Sequence, residues 1–199
     1  MADSPHIMIV EARFYDDLAD ELVKGAVAEL EKAGATYEIF QVPGVYEVPA
    51  AIQFAVRSMD FYSGRRRFDG YVALGCVIRG ETTHYDYVCT ESARGLQDLA
   101  LRYTLAIGNG ILTTENREQA WARAAVSQKN KGGFAANACL QMIDLKKKLF
   151  LLRSVINEKE IEIIEKDGDI SWTPKGTKQY WFGGRSNQKV WLDSDVYLP

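Results

Sequence analysis

From Tyr71 to Ile78 the chain reads YVALGCVI, eight residues without a charged side chain. A run of that length is short for a helix and lacks the alternation of a half-exposed strand. It fits a strand covered on both faces, the situation of a central strand in a parallel sheet. That assignment constrains everything around it. Parallel neighbours cannot be joined by hairpins, because each needs a crossover of a dozen or more residues, usually a helix. The rest of the chain must then alternate short apolar strands with amphipathic helices.

It does so. HIMIV (His6–Val10) is a short apolar run bounded by Pro5 and Glu11, expected as a strand. In DDLADELVKGAVAELEKAG the apolar residues Leu18, Leu22, Val23, Val27 and Leu30 recur at helical spacing. This predicts an amphipathic helix capped by Asp16 or Asp17 and ended by Gly34. TYEIFQV (Thr36–Val42) predicts a strand that stops at Pro43-Gly44, and Val48 to Met59 a helix with Pro49 in its first turn. SGRRRFDG reads as a polar loop in which Arg65–Arg67 are solvated. After the central strand come a long helix from about Thr83 to Tyr103 and a strand in TLAIGNGIL. A shorter helix follows with Thr114 as N-cap and Arg117 in its first turns, then a last helix from about Phe134 to beyond Leu149. Four alternations of strand and helix predict an α/β layered fold on a parallel sheet. In such sheets the site lies at the C-terminal ends of the strands. Phe14, Pro43-Gly44, Arg79–His84 and Asn109–Thr114 are expected there.

Composition narrows the function classes. With 199 residues, 47% of them hydrophobic, the chain can bury a core of ordinary domain size. A net charge of -3 supplies no general attraction for nucleic acid or an anionic membrane surface. No apolar run approaches the roughly 20 residues of a membrane span. The start, MADSPHIMIVEARF, lacks the basic-then-apolar layout of a secretion signal. Cys76, Cys89 and Cys139 are odd in number and set in apolar or helical surroundings, as reduced cysteines of a cytoplasmic protein would be. With two histidines and no Cys-x-x-Cys, no metal site is expected.

The last stretch differs. EKEIEIIEKDGDISW alternates charged and apolar residues around Asp167-Gly168, and QYWFGGRSNQKVWL repeats the idea around Gly183-Gly184. Three of the four tryptophans (Trp172, Trp181, Trp191) lie here. Residues 1–156 are expected as the main domain and 157–199 as a β-rich C-terminal extension.

Several residues offer chemistry. After Ile78, Gly80 allows a tight turn and Thr82 or Thr83 can cap the next helix. Free backbone N–H groups and the positive end of a helix dipole make such a turn an anion site. His84 in the first helical turn either moves protons beside that anion or only hydrogen-bonds the helix start. Arg123 is a candidate second phosphate contact, or a solvated helix arginine. Lys131 stands in a Gly-rich segment, where surface lysines are common. VPGVYEVP forms a stiff loop presenting Tyr46 and Glu47, whose carboxylate either accepts hydroxyl hydrogen bonds or serves the helix start. Phe14 is either a stacking platform for a flat heterocycle or a core residue.

Together, the blocks ARFYD, VPGVYEVP, LGCVIRGETTHYDYV, ESARGL, GNGILTTENREQAWARA and NKGG run in an order and spacing that resembles the 6,7-dimethyl-8-ribityllumazine synthase family. The resemblance covers about His6 to Phe150, and the GxVIRGxTxH block is its most specific part. It implies a three-layer α/β sandwich with a central four-stranded, mainly parallel sheet of flavodoxin-like topology. It implies a transferase of riboflavin biosynthesis, acting at the penultimate step. The substrates would be 5-amino-6-(D-ribitylamino)uracil and 3,4-dihydroxy-2-butanone 4-phosphate, with no metal or organic cofactor.

By the same resemblance, Phe14 would stack on the pyrimidine, and Val45, Tyr46 and Glu47 would hold the ribityl chain. Cys76, Val77 and Ile78 would offer backbone groups to the pyrimidine edge. Glu81, Thr82 and Arg123 would bind phosphate, Lys131 would lie near the heterocycle, and His84 would be the general acid/base. Tyr15 stands where many relatives have Asn, and Asn109, also a substrate-site position, where several have an aromatic residue. In the family the pocket is shared between subunits of a pentamer, and some members assemble a hollow shell of sixty subunits. The alternative is a non-catalytic lumazine- or flavin-binding shell protein of the same fold. His84, Arg123 and Glu47, all present, weigh against it.

Overall fold

The computed structural model describes residues 4–58, 67–149, 161–166 and 169–174. The main unit, Ser4–Leu152, contains a four-stranded sheet, and residues 153–199 belong to a second unit. In chain order the main unit runs β1 (His6–Ala12), α1 (Asp16–Lys32), β2 (Thr36–Val42) and a single 3-10 turn at Val45–Glu47. It continues through α2 (Val48–Ser58), β3 (Gly70–Ile78), α3 (His84–Arg102), β4 (Ile107–Thr114), α4 (Arg117–Ala124) and α5 (Lys131–Lys148).

All strand pairings in this sheet are parallel, and the spatial order is β2-β1-β3-β4. This is the flavodoxin-like α/β arrangement. β3, the YVALGCVI run, pairs with β1 on one side and β4 on the other, and its residues 70–76 are buried. Right-handed crossovers put helices on opposite faces when the chain reverses direction across the sheet. One face packs Ile7, Ile9, Val72 and Leu74 against Leu18, Leu22 and Leu30 of α1, Ala120 and Ala124 of α4, and Ala136, Cys139 and Ile143 of α5. The other packs Met8, Val10, Tyr71 and Ala73 against Val48, Ile52 and Val56 of α2 and Val88, Leu96 and Leu99 of α3.

Several boundaries differ from the sequence expectation, each for a local reason. Tyr15, not an aspartate, occupies the N-cap of α1, and Asp16 and Asp17 fill its first turn, where the dipole favours negative charge. Gly34 takes φ +69 after the helix, as expected of a glycine stop. Thr104 has φ +52 and forms the turn after α3, so β4 begins only at Ile107. Thr114 is no cap: it is the buried last residue of β4, its hydroxyl donating to the Val77 carbonyl at 3.5 Å. Asn116 caps α4 instead, accepting from the Gln119 N–H at 2.9 Å.

Helix α5 starts three residues earlier than expected, at Lys131. Asn130 sits in the left-handed region at φ +42, and its side-chain oxygen accepts from the Gly133 N–H at 3.1 Å. The glycine pair is a packing requirement, not a loop. A Cβ at Gly132 would fall on the carbonyl of Leu22, where α5 crosses α1.

Arg67 is tied down where a solvated turn was expected. Its guanidinium bonds Glu38 and lies over the rings of Phe40 and Phe68; Arg65 and Arg66 lie outside the described residues. In the second unit, β5 (Ile161–Lys166) and β6 (Asp169–Pro174) pair antiparallel, with Lys166 opposite Asp169. The rest of the expected extension, including the turn at Gly183-Gly184, Trp181 and Trp191, lies outside the described residues. Among the described residues no helix is long and apolar enough to cross a membrane.

Candidate active site

The strand order reverses between β1 and β3: the chain leaves β1 toward β2 but leaves β3 toward β4. Loops from such neighbouring strands depart to opposite faces and open a crevice at the C-terminal edge. The β1 loop carries Phe14 and the β3 loop carries Glu81, Thr82 and His84. The 3-10 turn Val45–Glu47 joins them from β2, with Val45 buried against the sheet next to Gly75 and Ala12.

Phe14 is 70% exposed and Tyr46 55%, both more than a core aromatic tolerates. The core alternative for Phe14 is therefore set aside, and a flat exposed ring at this edge can stack on a planar partner. Phe14 meets Tyr15 edge-on, ring centres 4.9 Å apart. Its turn is fixed by Arg13, whose backbone N–H donates to the Val42 carbonyl at 3.0 Å. The Arg13 guanidinium donates to Glu11 at 3.0 Å, Asp16 at 3.2 Å and Asp20 at 2.6 Å. Glu11 is almost fully buried, so this pairing satisfies a carboxylate that would otherwise be costly inside the fold. The Asp20 hydrogen bond is the largest reason the Arg13 guanidinium is held above its ordinary range.

Glu47 folds back over Gly44, where a Cβ would stand 3.0 Å from its carboxylate oxygen. The Glu47 N–H closes the turn on the Gly44 carbonyl at 3.3 Å. The carboxylate is exposed and available to hydroxyl donors.

Past β3, residues 79–84 are all exposed. Thr83 takes the N-cap position of α3, and Thr82 Oγ1 accepts from the His84 N–H at 3.4 Å. His84 is thus the first residue of α3, its imidazole at the positive end of a 19-residue helix. Cys76 is buried in β3, and burial pushes its thiol up to about 11, so it is no nucleophile at neutral pH. Val77 packs toward the α2/α3 face, and Ile78 toward the α1/α5 face.

Three expected site residues are not brought to this edge of the same chain. Asn109 pairs with Ala73, five positions before the last β4 residue, not at the strand end where the sequence placed it. It lies exposed on an edge strand, its side-chain oxygen accepting from the Ile111 N–H at 3.0 Å. Arg123 and Lys131 belong to the helices of the α1/α4/α5 face, opposite the α2/α3 layer that His84 and Glu47 lead into. Arg123 Nη1 donates to the Gln119 carbonyl at 3.0 Å, and the Lys131 ammonium lies 4.6 Å from the centre of the Phe134 ring.

Two further arginines organise this edge without having been expected as site residues themselves. Arg13 is one. Arg79 is the other: its Nε donates to Glu115 at 2.8 Å and its Nη1 to Asp86 at 3.2 Å, with the guanidinium 4.0 Å over the Tyr85 ring. Acidic residues at 16, 20, 86 and 115 near the strand ends were the available signal.

The sequence profile described as 6,7-dimethyl-8-ribityllumazine synthase matches residues 4–147. The chain is similar to the 6,7-dimethyl-8-ribityllumazine synthase of Agrobacterium fabrum, 61% identical over 145 residues, covering 73% of this chain and 97% of that protein. It is similar to 6,7-dimethyl-8-ribityllumazine synthase 1 of Rhizobium meliloti, 60% identical over 72% of this chain and 93% of the relative. The protein of that name from Bartonella henselae is 59% identical over 72% of this chain and 89% of its own length.

Proposed function

Because this chain belongs to the 6,7-dimethyl-8-ribityllumazine synthase family, we propose that it condenses 5-amino-6-(D-ribitylamino)uracil with 3,4-dihydroxy-2-butanone 4-phosphate, releasing phosphate and water. The observation that carries this reading is the convergence of Phe14, the Val45–Glu47 turn and the His84 helix start on one edge of the sheet, at the strand-order reversal. A flat ring binder, a hydroxyl-accepting carboxylate and an anion-binding turn answer to the pyrimidine, the ribityl chain and the phosphate.

Each residue then has a task. Phe14 stacks on the pyrimidine, and the backbone of Cys76, Val77 and Ile78 meets its polar edge. Tyr46 and Glu47 hold the ribityl hydroxyls, with Val45 as the buried foot of the turn. The N–H groups of Glu81 and Thr82 receive the phosphate. The 5-amino group attacks the ketone and water leaves as an imine forms. Elimination of phosphate leaves an enol that tautomerises to a second carbonyl, and attack of the ribityl-bearing amine on that carbonyl, with loss of a second water, closes the ring. His84 relays protons in these steps, and alignment of the two reactants supplies much of the acceleration.

Arg123 and Lys131 lie on the face opposite His84, which supports a site completed by a second copy of the chain. That copy would add its Arg123 to the phosphate and its Lys131 and Asn109 beside the heterocycle. The assembly is then a cytoplasmic homo-oligomer, a pentamer or a shell of sixty subunits. Residues 1–156 then make up the synthase domain, with 157–199 as an extension of the chain beyond it.

Mixing the purified protein with both substrates and following the lumazine chromophore tests the activity. Formation well above the rate without protein is expected. Formation at only the background rate would leave a lumazine-binding protein without catalysis. Light scattering on the same sample separates a pentamer from a shell.

A further inference from the structure

The loop from Gly80 to Thr83 is exposed throughout, and a Cβ at Gly80 would meet open space. Such a loop has little packing of its own to define its shape, yet a phosphate site needs its N–H groups aimed together. Arg79 holds both ends. Its backbone N–H donates to the Thr114 carbonyl at 2.9 Å, extending the β3–β4 pairing one residue past Ile78. Its side chain turns to the far end of the loop, donating to Asp86 in the first turn of α3 and lying over Tyr85, the residue after His84. The same guanidinium donates to Glu115, in the segment between β4 and α4.

Charge gives a second reason for an arginine here. Asp86 and Glu115 are two carboxylates beside a loop read as an anion site. Left unpaired, both would repel a phosphate. The guanidinium offsets them while keeping them in place, and its own affinity for its proton is raised chiefly by Glu115.

We propose that Arg79 is a positioning residue for the condensation: it closes the 80–83 loop into its anion-binding shape and seats His84 beside it. The proposal rests on reading that loop as the phosphate site. Arginine is needed because its planar fork serves two carboxylates and one ring at once, whereas an ammonium is a single point charge. Arg79 acts through the loop and touches no substrate.

The test compares wild type with Arg79→Ala and Arg79→Lys, using the full chain in its native assembly. Three quantities are measured: KM for each substrate, kcat, and the affinity for inorganic phosphate followed by protein fluorescence. For Arg79→Ala we expect phosphate affinity to fall and KM for the butanone phosphate to rise, each about tenfold, the loss of one charge-assisted arrangement. KM for the pyrimidine should stay within about twofold of wild type, and Arg79→Lys should recover part of the phosphate affinity. Equal changes in both KM values, or a fall in kcat with phosphate affinity unchanged, would overturn the role. Should Arg79→Ala not fold, Glu115→Gln decides: freeing one arm of the fork should weaken phosphate binding despite removing a negative charge, and tighter binding would overturn the proposal. Phosphate affinity is read without turnover, so a wild-type protein that binds phosphate but forms no lumazine refutes the proposed activity and not the part played by Arg79.

Discussion

Val45 stands on Gly75: a Cβ at Gly75 would lie 2.7 Å from Val45 Cγ2 and 3.0 Å from the Ala12 side chain. The Val45–Glu47 turn is thus seated on the central strand at a position where the strand has no side chain. Gly75→Ala should lift Val45, and with it Tyr46 and Glu47, while the rest of the sheet keeps its pairing. Overpacking of this kind costs about 1–3 kcal/mol. A lowered denaturation midpoint together with a raised KM for the ribityl-bearing substrate is the expected result. A change in stability with both KM values intact would separate the loop from that substrate.

Gly132 meets a harder obstacle. The atom in the way is the backbone carbonyl of Leu22, which cannot rotate aside as a valine methyl can. Gly132→Ala should push α5 off α1 and cost about 3 kcal/mol or more. Urea unfolding of Gly75→Ala and Gly132→Ala side by side gives the ranking, with Gly132→Ala the less stable of the two.

At the opposite end of the sheet, the His6 ring bonds Thr36 at 2.7 Å and Glu38 at 3.0 Å, and Arg67 also bonds Glu38. The His6 hydrogen bond, then Arg67, hold the Glu38 carboxyl below its ordinary 4.5. A lowered folded value means that the stabilisation is fully present above 4.5 and disappears as the pH falls through the folded value. For a partly exposed carboxylate it amounts to about 1 kcal/mol or less. Glu38→Gln should therefore be less stable than wild type at pH near 6, with the gap shrinking as the pH is taken progressively below 4.5. A gap of constant size across that range would show that the pair contributes through packing rather than charge.

Layered architecture was legible because burial on both faces leaves a compositional mark, and β3 carries it over almost its whole length. Helix periodicity located α1 closely for the same reason: one of its faces is apolar. Lys131-Gly132-Gly133 misled, since glycine in a loop and glycine at a helix crossing look identical without the partner, and that partner, Leu22, is remote in sequence. Asn109 and the separation of Arg123 and Lys131 from His84 depended on strand register and crossover side, which a single chain's periodicity does not encode. The bridging roles of Arg13 and Arg79 were not legible, because a bridging arginine differs from a solvated one only by where its carboxylates fold.

His84 begins α3, exposed, with Thr82 bonded to its backbone N–H. If it relays protons, removing the ring should slow the step that needs them but leave both reactants aligned. A general acid/base contributes at least about a hundredfold, and alignment contributes independently. For His84→Ala the expected outcome is a kcat about a hundredfold lower that still exceeds the background condensation, with KM for the butanone phosphate little changed. Arg123→Ala should behave in the opposite sense, raising that KM with kcat less affected, because its guanidinium would bind the leaving group's charge. Steady-state measurements on the two variants in parallel distinguish the roles. An unchanged kcat in His84→Ala would remove the imidazole from the chemistry and leave Thr82 and the helix dipole as the working parts of that turn.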